Sequence, residues 1–375
     1  MSHLEDLIAE YCPDGVEYLS LEKICISLKK GTLKQDKLND SYEYPVMNSG
    51  RYFYGKYPEF NNEANALVIA SRGEYAGYIS FINQKFWAGG LCYPYRSINE
   101  NQIMTKFIYY VLKNSEQNIM DSLVSRGSIP ALNKVDIDRF LLPIPPIIVQ
   151  REIVRILDKM TYLEAELEAE LEAELEARIL QYEHYRDDLL DFNSDVPRPP
   201  HLTHLLQTLC PDGVRFGKIE EVCVRILSGG TPNASHPEYY DGDIPWLRTQ
   251  EVDYKEIWDT DIKISLEGFK NSSANWISTN SVIVAMYGAS AARVAINKIP
   301  LTTNQACCNL EIDEKKANYR FVFYWLSSQY ESLKALSEGA QPNLNAGKVK
   351  NYPIPLPPLP IQEEIVAILD RFEAL

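Results

Sequence analysis

The chain has no apolar run of membrane-spanning length and no signal peptide, so the cytoplasm is the expected compartment. Cysteine is sparse, with 7 in 375 residues and no CxxC pair, which argues against a disulfide framework. Cys12 and Cys210, and likewise Cys25 and Cys223, have apolar neighbours and are expected to be buried free thiols. The 5 histidines are scattered, leaving no zinc-ligand spacing. No GxxxxGK(S/T) phosphate loop, HExxH or GxSxG occurs. An adenine methyltransferase needs an Asn/Asp-Pro-Pro-aromatic turn. The Pro-Pro pairs at 145–146, 199–200 and 357–358 follow Ile, Arg or Leu and precede no aromatic. Gly89-Gly90 and Gly229-Gly230 read as turn glycines with no further role. We therefore expect no catalytic residue, no cofactor and no metal, in a chain that is not itself an enzyme.

Basic residues are outnumbered as well, and the formal net charge is −15. The excess is local. Residues 20–146 hold 15 Lys and Arg against 12 Asp and Glu, and residues 215–358 hold 15 against 16. Residues 147–200 hold 6 against 14, and this segment carries most of the acidity. The globular parts are thus near neutral and can still present a basic face, such as Lys29, Lys30, Lys34 and Lys37 with Arg51 and Lys56. So weak a net field predicts that tight binding to a polyanion needs a partner subunit.

What is abundant is repetition. Residues 163–177 read Leu-Glu-Ala-Glu three times and begin a fourth, with Leu163, Leu167, Leu171 and Leu175 at a strict period of four. All three residue types are strong helix formers, so the segment is a helix. It lies between two copies of one pattern. Cys12-Pro13-Asp14-Gly15-Val16 returns as Cys210-Pro211-Asp212-Gly213-Val214, and Gly31-Thr32 as Gly230-Thr231. Ala66–Ile69 with Gly73 finds its partner in Ser281–Val284 with Gly288. Phe107–Leu112 matches Phe321–Leu326, and Gly127, Pro130, Leu132 and Asn133 match Gly339, Pro342, Leu344 and Asn345. Pro145-Pro146 with Gln150, Ile153 and Asp158 returns as Pro357-Pro358 with Gln362, Ile365 and Asp370. The chain is an internal duplication.

Each copy is a globular part followed by a helix. Apolar runs at Ala66–Ala70, Tyr78–Ile82 and Ser281–Met286 read as strands, and 105–113 and 319–328 as short helices. Leu142–Pro146 and Pro353–Pro360 should be extended lead-ins that cannot be helical. Val149, Ile153, Ile156, Met160, Leu163 and Leu167 alternate steps of four and three, the seam of a two-stranded coiled coil. Ile361, Ile365, Ile368, Phe372 and Leu375 repeat it. The first helix is expected from about Val149 to about Leu190. The second ends with the chain at Leu375, the counterpart of Leu163, and so is expected to be a truncated copy whose partner stripe beyond about Leu167 stays uncovered. The fold class is α+β: two similar globular domains, 1–146 and 193–358, joined by long helices, 147–192 and 359–375, in a pseudo-two-fold repeat.

The duplication, the proline-rich entry to each helix, the Gly-x-x-Pro-x-Leu-Asn pattern and the tetrads together resemble the specificity subunit of type I restriction-modification systems, over nearly the whole chain. The resemblance implies two target recognition domains, each reading half of a bipartite site on double-stranded DNA. It implies helices that space the domains and dock two methyltransferase subunits. Restriction and translocation then belong to further subunits joined through the complex, and self-association through the long helix is an additional expectation. Base readout needs polar or cationic groups on loops that reach a groove. The candidates in the first domain are Lys30, Arg51, Tyr52, Lys56, Arg72, Tyr75 and Lys85. In the second they are Trp246, Arg248, Thr249, Gln250, Tyr287 and Arg293. The bland reading of each is a solvated surface residue or a core aromatic. A tandem ligand-binding scaffold on a stalk would share the layout without needing the paired seam. A fused restriction-methylation enzyme would carry the catalytic motifs that are missing here.

Overall fold

The computed structural model describes residues 3–336 and 344–373; Gly339, Pro342 and Leu375 of the repeat pattern lie outside the described residues. The chain divides into two compact units, 1–171 and 172–375, and the boundary falls inside one helix, Ile147–Leu190.

In the first unit the central strand, Ala66–Ala70, is buried along its whole length. It lies in a four-stranded sheet, antiparallel to Ile79–Ile82 on one side and to Cys92–Ser97 on the other, with Leu67 opposite Tyr95 and Ile69 opposite Tyr93. Successive side chains point to opposite faces, so the run Ala-Leu-Val-Ile-Ala serves two cores. Leu67 and Ile69 pack with Ile108 and Leu112 of the helix Thr105–Asn114, and with Leu21, Ile119 and Leu142. Ala66 and Val68 pack with Met47, Phe86 and Ala88 on the other side. A strand buried on both faces reads as a continuous apolar run, not an alternating one.

The second unit repeats the plan with an added edge strand. Val282–Ala285 is the central strand of a five-stranded sheet. Val282 and Val284 face the helix Tyr319–Ser328, while Ile283 and Ala285 face Leu247, Ile277 and Leu301.

One short antiparallel pairing closes each unit at its helix. Glu17–Ser20 pairs with Leu141–Ile144, and Phe216–Lys218 pairs with Pro353–Pro355. The extended lead-ins expected from the prolines are these strands, with one correction. Pro360 stands at the second position of the helix Leu359–Glu373. It is tolerated there because first-turn amides have no intrahelical acceptor to lose.

The long helix has 44 residues, roughly 66 Å at 1.5 Å per residue. Val149 and Val154 are buried against the first unit, and Leu189 and Leu190 belong to the core of the second. Between them Met160, Leu163, Leu167, Leu171, Leu175 and Ile179 are 49–60% exposed. Tyr185 stacks on Phe372 with ring centroids 5.5 Å apart.

All seven cysteines are free; Cys25, Cys92, Cys307 and Cys308 are buried. Burial pushes the Cys25, Cys92 and Cys308 thiols up to about 12. Cys12, Cys210 and Cys223 are only half-buried, so the expectation of burial holds for Cys25 alone of the four repeat-related thiols. Among the described residues no helix is long and apolar enough to cross a membrane.

Candidate nucleic-acid interface

Three loops meet at one end of the sheets in each unit, and the duplication builds them alike. The first follows the central strand. In the first unit, Ala76 N donates to Gly73 O (3.0 Å), Gly77 N to Ala70 O (2.8 Å) and Tyr78 N to Tyr75 O (2.9 Å). In the second, Ala291 N donates to Gly288 O (3.1 Å), Ala292 N to Ala285 O (2.8 Å) and Arg293 N to Ser290 O (2.9 Å). Gly73 and Gly288 have φ of +90° and +81°, a conformation that side chains rarely adopt. Gly77 has φ +93°, and its counterpart Ala292 takes φ +71° at a cost of roughly 1–2 kcal/mol. A non-glycine residue held left-handed shows that the surrounding fold imposes this turn. It places Arg72 and Tyr287 at equivalent positions, both exposed.

The second loop follows Tyr44–Met47 or Ile244–Leu247. These strands pair in parallel with Trp87–Ala88 and Thr302–Thr303 respectively. Asn48 Oδ1 accepts from Leu91 N (2.9 Å), and Asn304 N donates to Leu247 O (3.0 Å). The third loop carries the Gly-Thr pair. Gly31 N donates to Ala88 O and Gly230 N to Thr303 O, both at 2.9 Å.

In the first unit Arg51 bridges two of these loops, its guanidinium 5.1 Å from the Tyr75 ring and 5.6 Å from the Tyr78 ring. Tyr52 beside it is 84% exposed. Lys30 lies over Tyr93 at 4.9 Å, with Nζ 3.5 Å from Gly90 O. Lys30, Arg51, Tyr52, Arg72 and Tyr75 are thus brought together. Lys56 is exposed one strand away, opposite Pro45. Lys85 does not join them. It lies beyond the far end of Ile79–Ile82, over Phe60 (4.4 Å) and 3.8 Å from Glu63. Among the described residues no acid pairs with Arg51, Lys56 or Arg72, so their charge is available to a ligand.

In the second unit Thr249 and Gln250 sit on a single turn, Thr249–Glu251. Arg248 is half-buried, 3.7 Å from Glu251 and 3.8 Å from Asp261, and Arg293 pairs with Asp253 at 2.8 Å. Trp246 is corrected from a surface residue to a core one. It is 4% exposed, and its Nε1 donates to Gly230 O at 2.9 Å, holding the Gly-Thr loop from beneath. Sequence reasoning missed Asn48, Thr231 and Gln305; the Thr231 hydroxyl donates to Gln305 Oε1. The repeated Gly-Thr pair could have pointed to Thr231, whereas nothing local singles out Gln305.

The first unit also has an apolar cleft of about 620 Å³, lined by Ile8, Phe107, Val111, Ile153 and Leu157 among others. In the second unit the matching residues Leu206, Phe321, Trp325, Ile365 and Leu369 share one core cluster with Tyr182, Leu189 and Leu190 of the long helix.

A duplicated α+β domain that ends each time in a helix, and that gathers polar, aromatic and cationic loops on one surface, has the architecture of a tandem recognition protein. The family model described as "Type I restriction modification DNA specificity domain" matches residues 13–177 and again 211–375. The chain therefore belongs to this family, and its function is that of a type I restriction-modification specificity subunit. It is 27% identical, over all of its length and 90% of the other protein, to a type I restriction enzyme specificity subunit of Escherichia coli. Over 155 residues it is 30% identical to a type I restriction enzyme specificity subunit of Methanocaldococcus jannaschii, covering 40% of this chain and 36% of that one. In fold it is similar to a chain solved in work on complex assembly and conformational transition of the type I R-M system. There the TM-score is 0.66 at 17% identity, with 96% of this chain and 91% of that one covered. It is also similar to the HsdS subunit from Thermoanaerobacter tengcongensis, at TM-score 0.54 and 16% identity, covering 96% and 90%.

Proposed function

We propose that the globular parts, 1–146 and 193–358, each read one half of a bipartite site on double-stranded DNA, and that the helix between them sets the gap. The observation that carries this is the same three-loop surface built twice, once in each unit. Arg51, Arg72, Tyr52 and Tyr75 serve the first half-site, with Lys30 and Lys56 on phosphates. Thr249, Gln250, Tyr287, Arg248 and Arg293 serve the second. Arg and Gln suit the bidentate hydrogen-bonding edges of the major groove, whereas Lys neutralises phosphate without reading sequence. Methylation and cleavage belong to partner subunits, and the protein works with them in the cytoplasm. Co-expression with a methyltransferase subunit, followed by methylation mapping, tests this reading directly. A mapped site without two separated half-sites sinks it.

The near-neutral recognition parts make a quantitative expectation. The isolated chain should bind DNA with a Kd of about 10⁻⁴–10⁻⁶ M at physiological salt, the range of non-specific binding. With two methyltransferase subunits it should reach about 10⁻⁸ M or tighter with sequence preference. Titration of labelled duplexes at fixed salt decides it, and nanomolar, sequence-specific binding by the chain alone would refute it.

The exposed leucine stripe supports docking of partners on the long helix, since a contiguous exposed apolar surface marks an association site. The methyltransferase subunits and a second copy of this chain both suit it. Self-association should appear in sedimentation as a concentration-dependent rise in mass that Leu167→Glu with Leu171→Glu removes. A strict monomer at high concentration rules it out.

A further inference from the structure

Each unit contains a two-point polar clamp between its globular part and the helix that leaves it. At the first point a glutamine is fully buried in the first turn: Gln150 in one unit, Gln362 in the other. Gln150 Oε1 accepts from Met104 N (2.9 Å), and its Nε2 donates to Gln102 O (3.0 Å) and Pro145 O (2.8 Å). Gln362 does the same with Asn318 N (2.8 Å), Lys316 O (3.5 Å) and Pro357 O (2.8 Å). Both amides therefore tie the proline lead-in to the residue that caps the neighbouring short helix. The second point lies eight residues on. Asp158 accepts from Lys106 Nζ (2.8 Å) and Tyr110 OH (2.6 Å), and Asp370 from Arg320 Nε (2.8 Å) and Tyr324 OH (2.6 Å).

We propose that the first clamp fixes the rotational phase of the spacer helix Ile147–Leu190 against its recognition domain, making Gln150 and Asp158 positioning residues for the gap, while Gln362 and Asp370 hold the helix Leu359–Glu373 to the second domain in the same way. The inference rests on the ruler reading above. An apolar seam resists separation strongly but roll weakly, because dispersion and burial are non-directional. Hydrogen bonds are directional, and a misaligned one is largely lost. Two anchors separated by eight residues, about 12 Å along the axis and about 80° around it, block both roll and tilt. The Lys106–Asp158 pair is roughly a third exposed on each side, where such pairs add little stability. Direction is what it supplies. Phase matters because one base pair of DNA turns about 34–36°. A helix free to roll by that much at its root would accept a neighbouring gap.

The test uses the complex assembled with its methyltransferase subunits and duplexes whose half-sites are separated by the native gap or by one base pair more or less. Asp158→Ala, and the milder Tyr110→Phe, should lower the preference for the native gap. For Asp158→Ala the loss should be about tenfold, the factor carried by one charge-assisted hydrogen bond. Half-site sequence should not change. Lys106→Arg, which copies Arg320 of the other unit, should keep the wild-type preference. Thermal unfolding of each variant, read alongside, separates loss of phase from loss of fold. Unchanged gap preference in both clamp variants, or an altered half-site, overturns the proposal. A four-residue deletion in the wild-type helix runs in parallel. If it moves the gap while the clamp variants stay selective, the clamp alone is wrong; if it does not move the gap, the ruler reading fails instead.

Discussion

Deleting Leu171–Glu174 is expected to shorten the gap between the half-sites by about one base pair and to leave both half-site sequences as they were. Four residues of helix span roughly 6 Å and turn about 40° beyond one full revolution. One base pair of B-DNA turns about 34–36°. The rotational step of a tetrad is therefore close to that of a base pair, and a recognition domain moved by one tetrad stays in phase with the groove. Removing Leu171 alone should swing the second domain by about 100° and abolish modification of the native site at any neighbouring gap. Residues 171–174 are all exposed, so neither deletion opens a core and neither variant should lose much stability. Methylation mapping of the three proteins separates the cases. An unchanged gap in the tetrad deletion, or full activity in the one-residue deletion, would show that the helix is not the ruler.

The second large effect is expected from one methyl group at Gly229. A Cβ built there would stand 1.9 Å from Thr303 O and 2.3 Å from Thr303 C. Thr303 cannot retreat. It is fully buried, paired in register with Leu247, and its hydroxyl accepts from Asn309 Nδ2 at 2.8 Å. Gly229→Ala should thus cost about 3 kcal/mol, the upper range for overpacking, and lower the melting temperature of the second unit by about 6–12 °C. Modification should fail through the second half-site alone, since the first unit has its own core. Gly90→Ala is the control. Its Cβ would lie 3.6 Å from Thr32 Oγ1, an ordinary contact, and no change in stability is expected. Calorimetry of the two variants checks the pair, and equal melting would refute the clash. Neither Gly229 nor Gly230 has the positive φ expected of a turn glycine. They are glycines because two backbones approach closely, which corrects the reading of this pair as a simple turn.

Much of the protein was legible in its sequence because the signals are local or repeated. Helix-forming tetrads, proline entries and a continuous apolar run at Ala66–Ala70 each carry their structural meaning within a few residues. The duplication adds a second reading of every element, and it carries the resemblance to the family. The candidate surface was legible only in part. Residues on the turn after the central strand, Arg72, Tyr75, Tyr287 and Arg293, could be placed because a short turn between two strands must be exposed. Trp246 could not, since polar neighbours in sequence, Arg248 and Thr249, say nothing of the Gly230 carbonyl that its ring nitrogen meets. The pairing of Arg51 with Tyr75 and Tyr78 depends on two loops more than 20 residues apart. By itself the sequence determined the repeat and the long helix with its four-residue period, all properties of period and residue type. The tertiary structure alone decided which cations are free, which glycines are crowded and which buried amides orient the helices. Those depend on distances between segments that no local pattern encodes.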